Sequence, residues 1–160
     1  MDLVFTQSPA LVSRLIRRAT GQEVSHVALR GCFEGLPVYL HADIGGVQIV
    51  TEKAFYAQRT LRYAFACQTP ISVGLATSCI GERYDYVGLL WGLLRLILLW
   101  LGHSWHRPLQ SPHVVVCSEF IARLGITSFA ALNPEDTTPG DLLRICQASN
   151  EFTALPLGVT

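Results

Sequence analysis

One cysteine of this chain has the sequence setting of a nucleophile. Cys117 follows three valines and begins a stretch in which the apolar residues Phe120, Ile121 and Leu124 have helical spacing. Free N–H groups and the dipole at a helix start lower the pKa of a thiol, and the same N–H groups can bind an oxyanion. Cys117 could therefore attack a carbonyl carbon if an imidazole lay beside it. Without such a partner, a buried thiol is the commoner interpretation.

Two histidines could supply that imidazole, because they are predicted to meet across a β-hairpin. Residues 24–30 and 36–42 have the pattern of strands, and residues 32–35 form a four-residue loop between them. In the resulting register His26 lies directly opposite His41, with Cβ atoms about 4.5–5.5 Å apart. One imidazole would act as the base, and the other would fix its tautomer and orientation. The alternative is two unrelated histidines on a half-exposed sheet face.

Three more histidines near Cys117 allow a metal site as a rival chemistry. His103, His106, His113 and Cys117 are four zinc-type ligands within a short stretch. Their spacing matches no common zinc finger or zinc hydrolase motif. We therefore expect no metal and no cofactor, with His103 and His106 as loop residues.

The composition limits the classes of protein to which these residues can belong. The chain has 160 residues, half of them hydrophobic, and its 12 basic and 12 acidic residues balance. We expect one domain over residues 1–160; the hydrophobicity excludes disorder, and the lack of a basic excess disfavours nucleic-acid binding. Five cysteines without a CxxC pair indicate free thiols. The four besides Cys117 are predicted to be small buried hydrophobic residues: Cys32, Cys67, Cys79 and Cys146.

The elements that must position the site form a block of strands between helices. Besides the hairpin, strands are predicted at residues 3–6, 46–51, 61–66 and 152–155. Helices are predicted at residues 9–20, 70–80, 84–101 and 117–124, and a short turn opens at Thr138. This order predicts an α+β fold rather than alternating βαβ units.

One segment, residues 86–101, holds most of the excess hydropathy of the chain. It reads YVGLLWGLLRLILLWL, and the mean hydropathy of the whole chain is +0.35. The segment contains Arg95 and falls short of the roughly 20 apolar residues that a membrane span needs. A buried helix is the first interpretation, and a helix that lies on a membrane or on a partner protein is the second.

The N-terminus lacks the pattern of a secretory signal peptide. Asp2 opens the chain, and no basic region precedes an apolar run. We therefore expect the chain to be cytoplasmic when synthesised. An enzyme directed at the cell wall would need release or delivery by another route.

Short motifs in consistent order resemble the circularly permuted branch of the NlpC/P60 cysteine peptidases, which share the papain-like core. The motifs cover nearly the whole chain: Asp2, IRRATG at residues 16–21, Ser25-His26-Val27, Tyr84-Asp85-Tyr86, Cys117-Ser118-Glu119-Phe120 and TPGDL at residues 138–142. In that branch the histidine strand precedes the cysteine helix, as it does here. The resemblance implies a permuted papain-like fold, with an antiparallel sheet packed against helices.

The resemblance also implies roles for individual residues. Cys117 would be the nucleophile, His26 the base and His41 the third, orienting residue of a catalytic triad. Four residues would lie near the oxyanion or the substrate: Ser25, Tyr84, Tyr86 and Ser118. Many permuted bacterial members have glutamate at the position of His41, whereas the related lecithin–retinol acyltransferase group has histidine.

The mechanism that the resemblance implies is acyl transfer through a thioester. Water as the acceptor gives a peptidase or amidase, for which peptidoglycan stem peptides are the implied substrate. An alcohol or amine as the acceptor gives a transferase, so a lipid acyltransferase, thioesterase or phospholipase stays open. A papain-like module that binds without catalysis in a larger assembly is a further alternative. Residues 86–101 would supply any membrane or protein contact.

Overall fold

A six-stranded antiparallel sheet carries the candidate histidines. The computed structural model describes residues 1–85, 94 and 114–157. The strands of this part of the chain are β1 (Asp2–Gln7), β2 (His26–Phe33), β3 (Leu36–Asp43), β4 (Gly46–Thr51), β5 (Thr60–Cys67), β6 (Arg83–Tyr84), β7 (Val114–Val115) and β8 (Phe152–Ala154). The sheet has the order β4-β3-β2-β1-β5-β8, and all its neighbours are antiparallel.

Helices flank the sheet and complete an α+β architecture. The helices of the described residues are α1 (Leu11–Thr20), α2 (Glu52–Tyr56), α3 (Val73–Ser78), α4 (Cys117–Ala122) and α5 (Pro139–Ala148), with 3₁₀ turns at Thr127–Phe129 and Pro134–Asp136. Hydroxyl side chains of Thr51, Ser72 and Thr138 accept hydrogen bonds from the first turns of α2, α3 and α5. The predicted α+β class, with an antiparallel sheet, is confirmed.

Alternate residues of β2 face two separate apolar clusters. Val27 packs with Phe120 of α4 in the larger cluster. Its neighbour Ala28 packs with Tyr39 of β3 and Phe55 of α2 in the smaller one. Because successive side chains of a strand point to opposite faces, the sheet has a larger core on the α4 side and a smaller core on the α2 side.

The hairpin that carries the histidines has a different register from the predicted one. β2 and β3 are joined by the two-residue turn Glu34-Gly35, and Phe33 pairs with Leu36. Both turn residues have positive φ, 50° and 81°, as in the type I′ turn that matches the twist of the strands. The four-residue loop and the direct opposition of His26 and His41 are therefore wrong, and the two residues are diagonal. A displacement of two residues keeps side chains on the same face, so the histidines still meet.

Several helices begin elsewhere than the sequence pattern predicts. α1 begins at Leu11 rather than Pro9, because the Ser8 hydroxyl accepts a hydrogen bond from the backbone two residues on. α3 is capped by Ser72, so Thr69-Pro70 does not start it. α5 has 10 residues where only a short turn was predicted. α2 was not predicted, since its 5 residues are too few for a periodic pattern.

The hydrophobic segment at residues 86–101 lies almost wholly outside the described residues. Tyr84, predicted to begin its helix, instead ends β6, which pairs in parallel with β7. Leu94 is helical and 40% exposed. No helix within residues 1–85, 94 and 114–157 is long and apolar enough to cross a bilayer.

Candidate functional site

The two histidines lie in ring contact at the start of β2. Their ring centroids are 5.3 Å apart, and the rings are nearly perpendicular, at 85°. His26 is the first residue of β2, and His41 on β3 is only 2% exposed. Nε2 of His26 and Nδ1 of His41 are buried without a hydrogen-bond partner in the described part of the chain. Both nitrogens are thus available to a group that enters the site.

Helix α2 supplies the ring against which both imidazoles pack. The centroid of the buried Phe55 ring is 6.1 Å from that of His26 and 5.3 Å from that of His41. Phe55 is itself stacked on Tyr39 of β3, with centroids 4.4 Å apart. Such aromatic contacts fix the planes of the imidazoles by packing.

Burial keeps both imidazoles neutral near pH 7. Burial and the nearby charge of Arg59 lower the pKa of His41 to about 4. Burial also lowers the pKa of His26 well below its ordinary value of 6.5, and the charges of His41 and Arg59 lower it further. A neutral imidazole accepts protons, so His26 can act as a base.

Cys117 is the first residue of α4 and lies beside the start of β2. The residue is 6% exposed. Three backbone N–H groups interact with its sulfur: those of Val27, Ser118 and Cys117 itself. Because Val27 directly follows His26, the sulfur contacts the strand one residue along from the candidate base.

Hydrogen bonds of Glu119 fix the start of α4. Its carboxylate accepts from the backbone N–H of Val116 at 3.4 Å and pairs with Arg123 at 2.5 Å. Phe120 and Ile121 on the same helix are fully buried in the larger cluster. The Cys117 backbone is therefore held by both polar contacts and packing.

The pKa of Cys117 differs in direction from the one predicted for a helix start. The backbone N–H groups and the charge of Arg59 lower the pKa of the thiol, but burial raises it by more. The prediction of a lowered pKa is therefore wrong for this state of the site. At neutral pH, Cys117 is a thiol near neutral imidazoles rather than a thiolate beside an imidazolium.

Arg59 is a charged residue of the site that the sequence pattern does not reveal. It directly precedes β5, its side chain is 14% exposed, and it forms an ion pair with Asp43 of β3. Its charge acts on all three candidate catalytic residues. Had the sequence predicted the hairpin register that is observed, it would have placed Asp43 close to His26. Nothing in the sequence distinguishes Arg59 from the other arginines.

The two serines expected near the oxyanion have side chains engaged in the fold. The Ser25 hydroxyl is hydrogen-bonded to Ser13 of α1. The Ser118 hydroxyl donates to the carbonyl oxygen of Thr137 at 2.6 Å. Of the polar groups of these two serines, it is the backbone N–H of Ser118 that interacts with the Cys117 sulfur. The serine hydroxyls therefore join elements, and Ser118 contributes to the site through its backbone.

Of the predicted tyrosines and the remaining histidines, only Tyr84 is among the described residues. Tyr84 is half-buried on β6 and interacts electrostatically with Arg59. Tyr86 lies outside the described residues, and so do the possible metal ligands of the sequence: His103, His106 and His113. The roles expected for these residues therefore stay predictions.

The other cysteines differ in exposure. All five cysteines are free thiols, as predicted. Cys146 is buried and Cys67 and Cys79 are half-buried, whereas Cys32 is exposed near the β2–β3 turn. The prediction that Cys32 is a buried hydrophobic residue is wrong, because it pairs with Pro37 at the projecting end of the hairpin.

Comparison with known proteins identifies a fold relative. No protein-family model matches the chain, and no curated protein matches it significantly. The structure is similar to the crystal structure of metalloprotein yiiX from Escherichia coli O157:H7, DUF1105, with a TM-score of 0.52. The match covers 97% of this chain and 94% of that chain at 16% sequence identity. At this identity the likeness shows a shared fold alone.

The description of that neighbour as a metalloprotein raises the question of a metal here. A metal site needs several histidine, cysteine or carboxylate side chains converging on one point. Within residues 1–85, 94 and 114–157, no group of three such side chains has that arrangement.

Proposed function

We propose that this protein is a cysteine hydrolase that cleaves amide bonds through a thioester on Cys117. His26 is the base that moves the proton, and His41 orients His26. The proposal is carried by two neutral imidazoles in ring contact, half-buried His26 and buried His41, and by the Cys117 sulfur, which interacts with the backbone N–H of the residue after His26. A base near a protonated thiol is the arrangement from which acyl transfer starts.

The first half of the reaction forms the thioester. The Cys117 sulfur attacks the carbonyl carbon of the substrate, and its proton passes to His26. The carbonyl oxygen becomes an oxyanion, for which the backbone N–H groups of Cys117 and Ser118 are the available donors. His26 then gives the proton to the leaving nitrogen, and the C–N bond breaks.

The second half releases the product. Water attacks the thioester carbon, and His26 takes a proton from that water. The C–S bond breaks, the proton returns to the Cys117 sulfur, and a carboxylic acid leaves. An imidazole with a pKa below neutrality is unprotonated at the start of each half, so one residue serves as acceptor twice.

His41 contributes by holding the reacting imidazole. Its ring stands edge-on to that of His26 and packs against Phe55, which limits the orientations that His26 can adopt. Hydrogen bonds of catalytic residues often tighten only when substrate binds. We therefore assign the unpartnered Nδ1 of His41 as the atom that hydrogen-bonds to His26 once substrate is bound.

A permuted papain-like core of the NlpC/P60 type is the proposed finer fold. The histidine strand β2 precedes the cysteine helix α4 along the chain, as in the permuted branch that the sequence motifs resemble. The antiparallel sheet with α4 packed against β2 is consistent with that core. The resemblance and the side-chain contacts therefore both assign the site to the first residues of β2, where His26 lies.

Peptidoglycan stem peptides are the proposed substrate, with an endopeptidase or amidase cut. The motifs around His26 and Cys117 support this class through their resemblance to cell-wall peptidases. One observation favours a second candidate, lipid acyl transfer: position 41 is histidine, as in the lecithin–retinol acyltransferase group. A binding module without catalysis is the third candidate.

Activity measured side by side on two substrates tests the proposal. Wild-type protein should release new amino groups from purified cell-wall fragments, and Cys117→Ala should lose more than about a thousandfold of that rate. Cys32→Ala removes an exposed thiol at the hairpin end and, as the matched control, should keep full activity. Acyl release from lipid vesicles instead would replace the peptidase by a lipid enzyme. Neither activity, with an inert Cys117, would leave the binding module.

A further inference from the structure

Arg59 is a charged residue that packs against Phe55, the aromatic ring on which both histidines of the site lie. Its guanidinium carbon lies 5.2 Å from the centroid of the Phe55 ring, against which His26 and His41 also pack. Nη1 of Arg59 donates to the carbonyl oxygen of Phe55 at 3.2 Å. The guanidinium is therefore held in place beside the ring that carries both imidazoles.

Asp43 holds Arg59 from the sheet side. Nη2 of Arg59 forms an ion pair with Oδ2 of Asp43, and the two side chains are 14% and 31% exposed. Partly buried charges are screened by salt less than exposed ones. Asp43 lies two residues beyond His41 on β3, so the ion pair and the histidines share one face of that strand.

The titratable groups that interact with Arg59 come from every described element around it. They are His26 on β2, His41 and Asp43 on β3, Tyr84 on β6 and Cys117 on α4. The charge of Arg59 lowers the pKa of the Cys117 thiol, and it also lowers the pKa of both imidazoles. The same charge therefore favours a thiolate and disfavours an imidazolium.

We propose that Arg59 is a positioning residue of this site: its guanidinium is held against the Phe55 ring on which both imidazoles pack, and from there its positive charge stabilises the Cys117 sulfur as it ionises. While the sulfur is protonated, the Asp43 carboxylate partly neutralises the positive charge of Arg59. The role rests on the proposed function and deepens it, because the counter-charge of the nucleophile is assigned to an arginine rather than to an imidazolium. The proton itself still passes to His26.

The pH dependence of Cys117 alkylation by iodoacetamide tests this role in the full chain without any substrate. Arg59→Gln should move the midpoint up by about one pH unit, which is about a tenfold lower rate at pH 7. Arg59→Lys should restore most of the rate, since it keeps the charge. Arg62→Gln, an exposed position on β5, is the matched control and should change nothing.

Asp43→Asn provides a test with the opposite sign. Removing this carboxylate leaves the charge of Arg59 uncompensated, so the midpoint should move down and alkylation at pH 7 should become faster. A general disturbance of the fold would not raise the rate of Cys117 alkylation in one variant and lower it in the other. The variant therefore also decides the matter if Arg59→Gln does not fold.

The outcomes separate this inference from the proposed function. An unchanged midpoint in Arg59→Gln, or an upward shift in Asp43→Asn, would overturn the role of Arg59. If His26→Ala still slows alkylation of Cys117 in that case, the proposed function survives alone. If neither His26→Ala nor Arg59→Gln affects Cys117, both fail.

Discussion

Two cysteines of the chain are buried, and their surroundings act on them in opposite ways. At Cys117, three backbone N–H groups and the charge of Arg59 lower the thiol pKa against the effect of burial. At Cys146 on α5, interactions with Cys67 and Glu151 raise the pKa in addition to burial. Burial alone therefore does not separate a reactive thiol from an inert one. The contacts that oppose burial do.

The largest expected effect comes from exchanging these two thiols for other side chains. Cys117→Ser should lower hydrolysis by more than about a thousandfold, because a serine hydroxyl at this position has no comparable nucleophilicity. Cys146→Ala should leave the rate of hydrolysis within about twofold and cost about 1 kcal/mol of stability through lost packing. Steady-state rates and urea unfolding curves of both variants check this. Equal losses of activity would remove the distinction between the two thiols.

The second effect is an acid sensitivity of the Cys117 region, because this region carries the two histidines of residues 1–85, 94 and 114–157, and burial keeps both of them neutral. His41 has an unfolded pKa near 6.5 and a folded pKa of about 4, so the unfolded state binds the proton first as the pH falls. Its contribution to stability is complete above about pH 6.5 and is lost progressively toward pH 4, by at most about 3 kcal/mol.

Urea unfolding of wild-type protein and of His41→Gln at pH 7.5, 6 and 4.5 measures this contribution. The variant should show a flatter decline of the unfolding free energy toward low pH. Parallel declines for the two proteins would mean that His41 titrates in the folded state as it does in the unfolded state.

The smallest effect separates packing from positioning in the two regions. Phe55→Leu and Phe129→Leu should each cost about 1–2 kcal/mol of stability, since each removes a buried ring with aromatic neighbours. Phe55 packs on the histidines, whereas Phe129 stacks on Phe152 in the larger core. Only Phe55→Leu should slow alkylation of Cys117, by several-fold. A similar slowing in Phe129→Leu would show that general loosening of the core is responsible.

Local patterns predict much of the sheet. The strand at Gly46–Thr51 was predicted to the residue, and the histidines were placed on the correct strands and face. The register was not, because residues 32–35 fit a four-residue loop as well as the observed two-residue turn. Alternation has a period of two, so it fixes the face of a side chain but leaves register shifts of two residues undecided.

The surroundings of the site were less predictable than its candidate residues. Arg59 and Phe55 reach the histidines from a 5-residue helix and the turn after it, which carry no periodic signal. The helix-start rule gave the direction in which N–H groups move the pKa of Cys117. It could not give the opposing effect of burial, which depends on how α4 packs against β2.

The central claim is that Cys117 is a nucleophile activated by His26, and alkylation rates of all five cysteines in the folded protein test it most directly. Peptide mapping after brief exposure to iodoacetamide at pH 7 gives each rate separately. We expect Cys117 to react more than about tenfold faster than Cys146, which is also buried, and His26→Ala to bring the two rates together. Equal rates in the wild-type protein, or a Cys117 rate unchanged by His26→Ala, would contradict it.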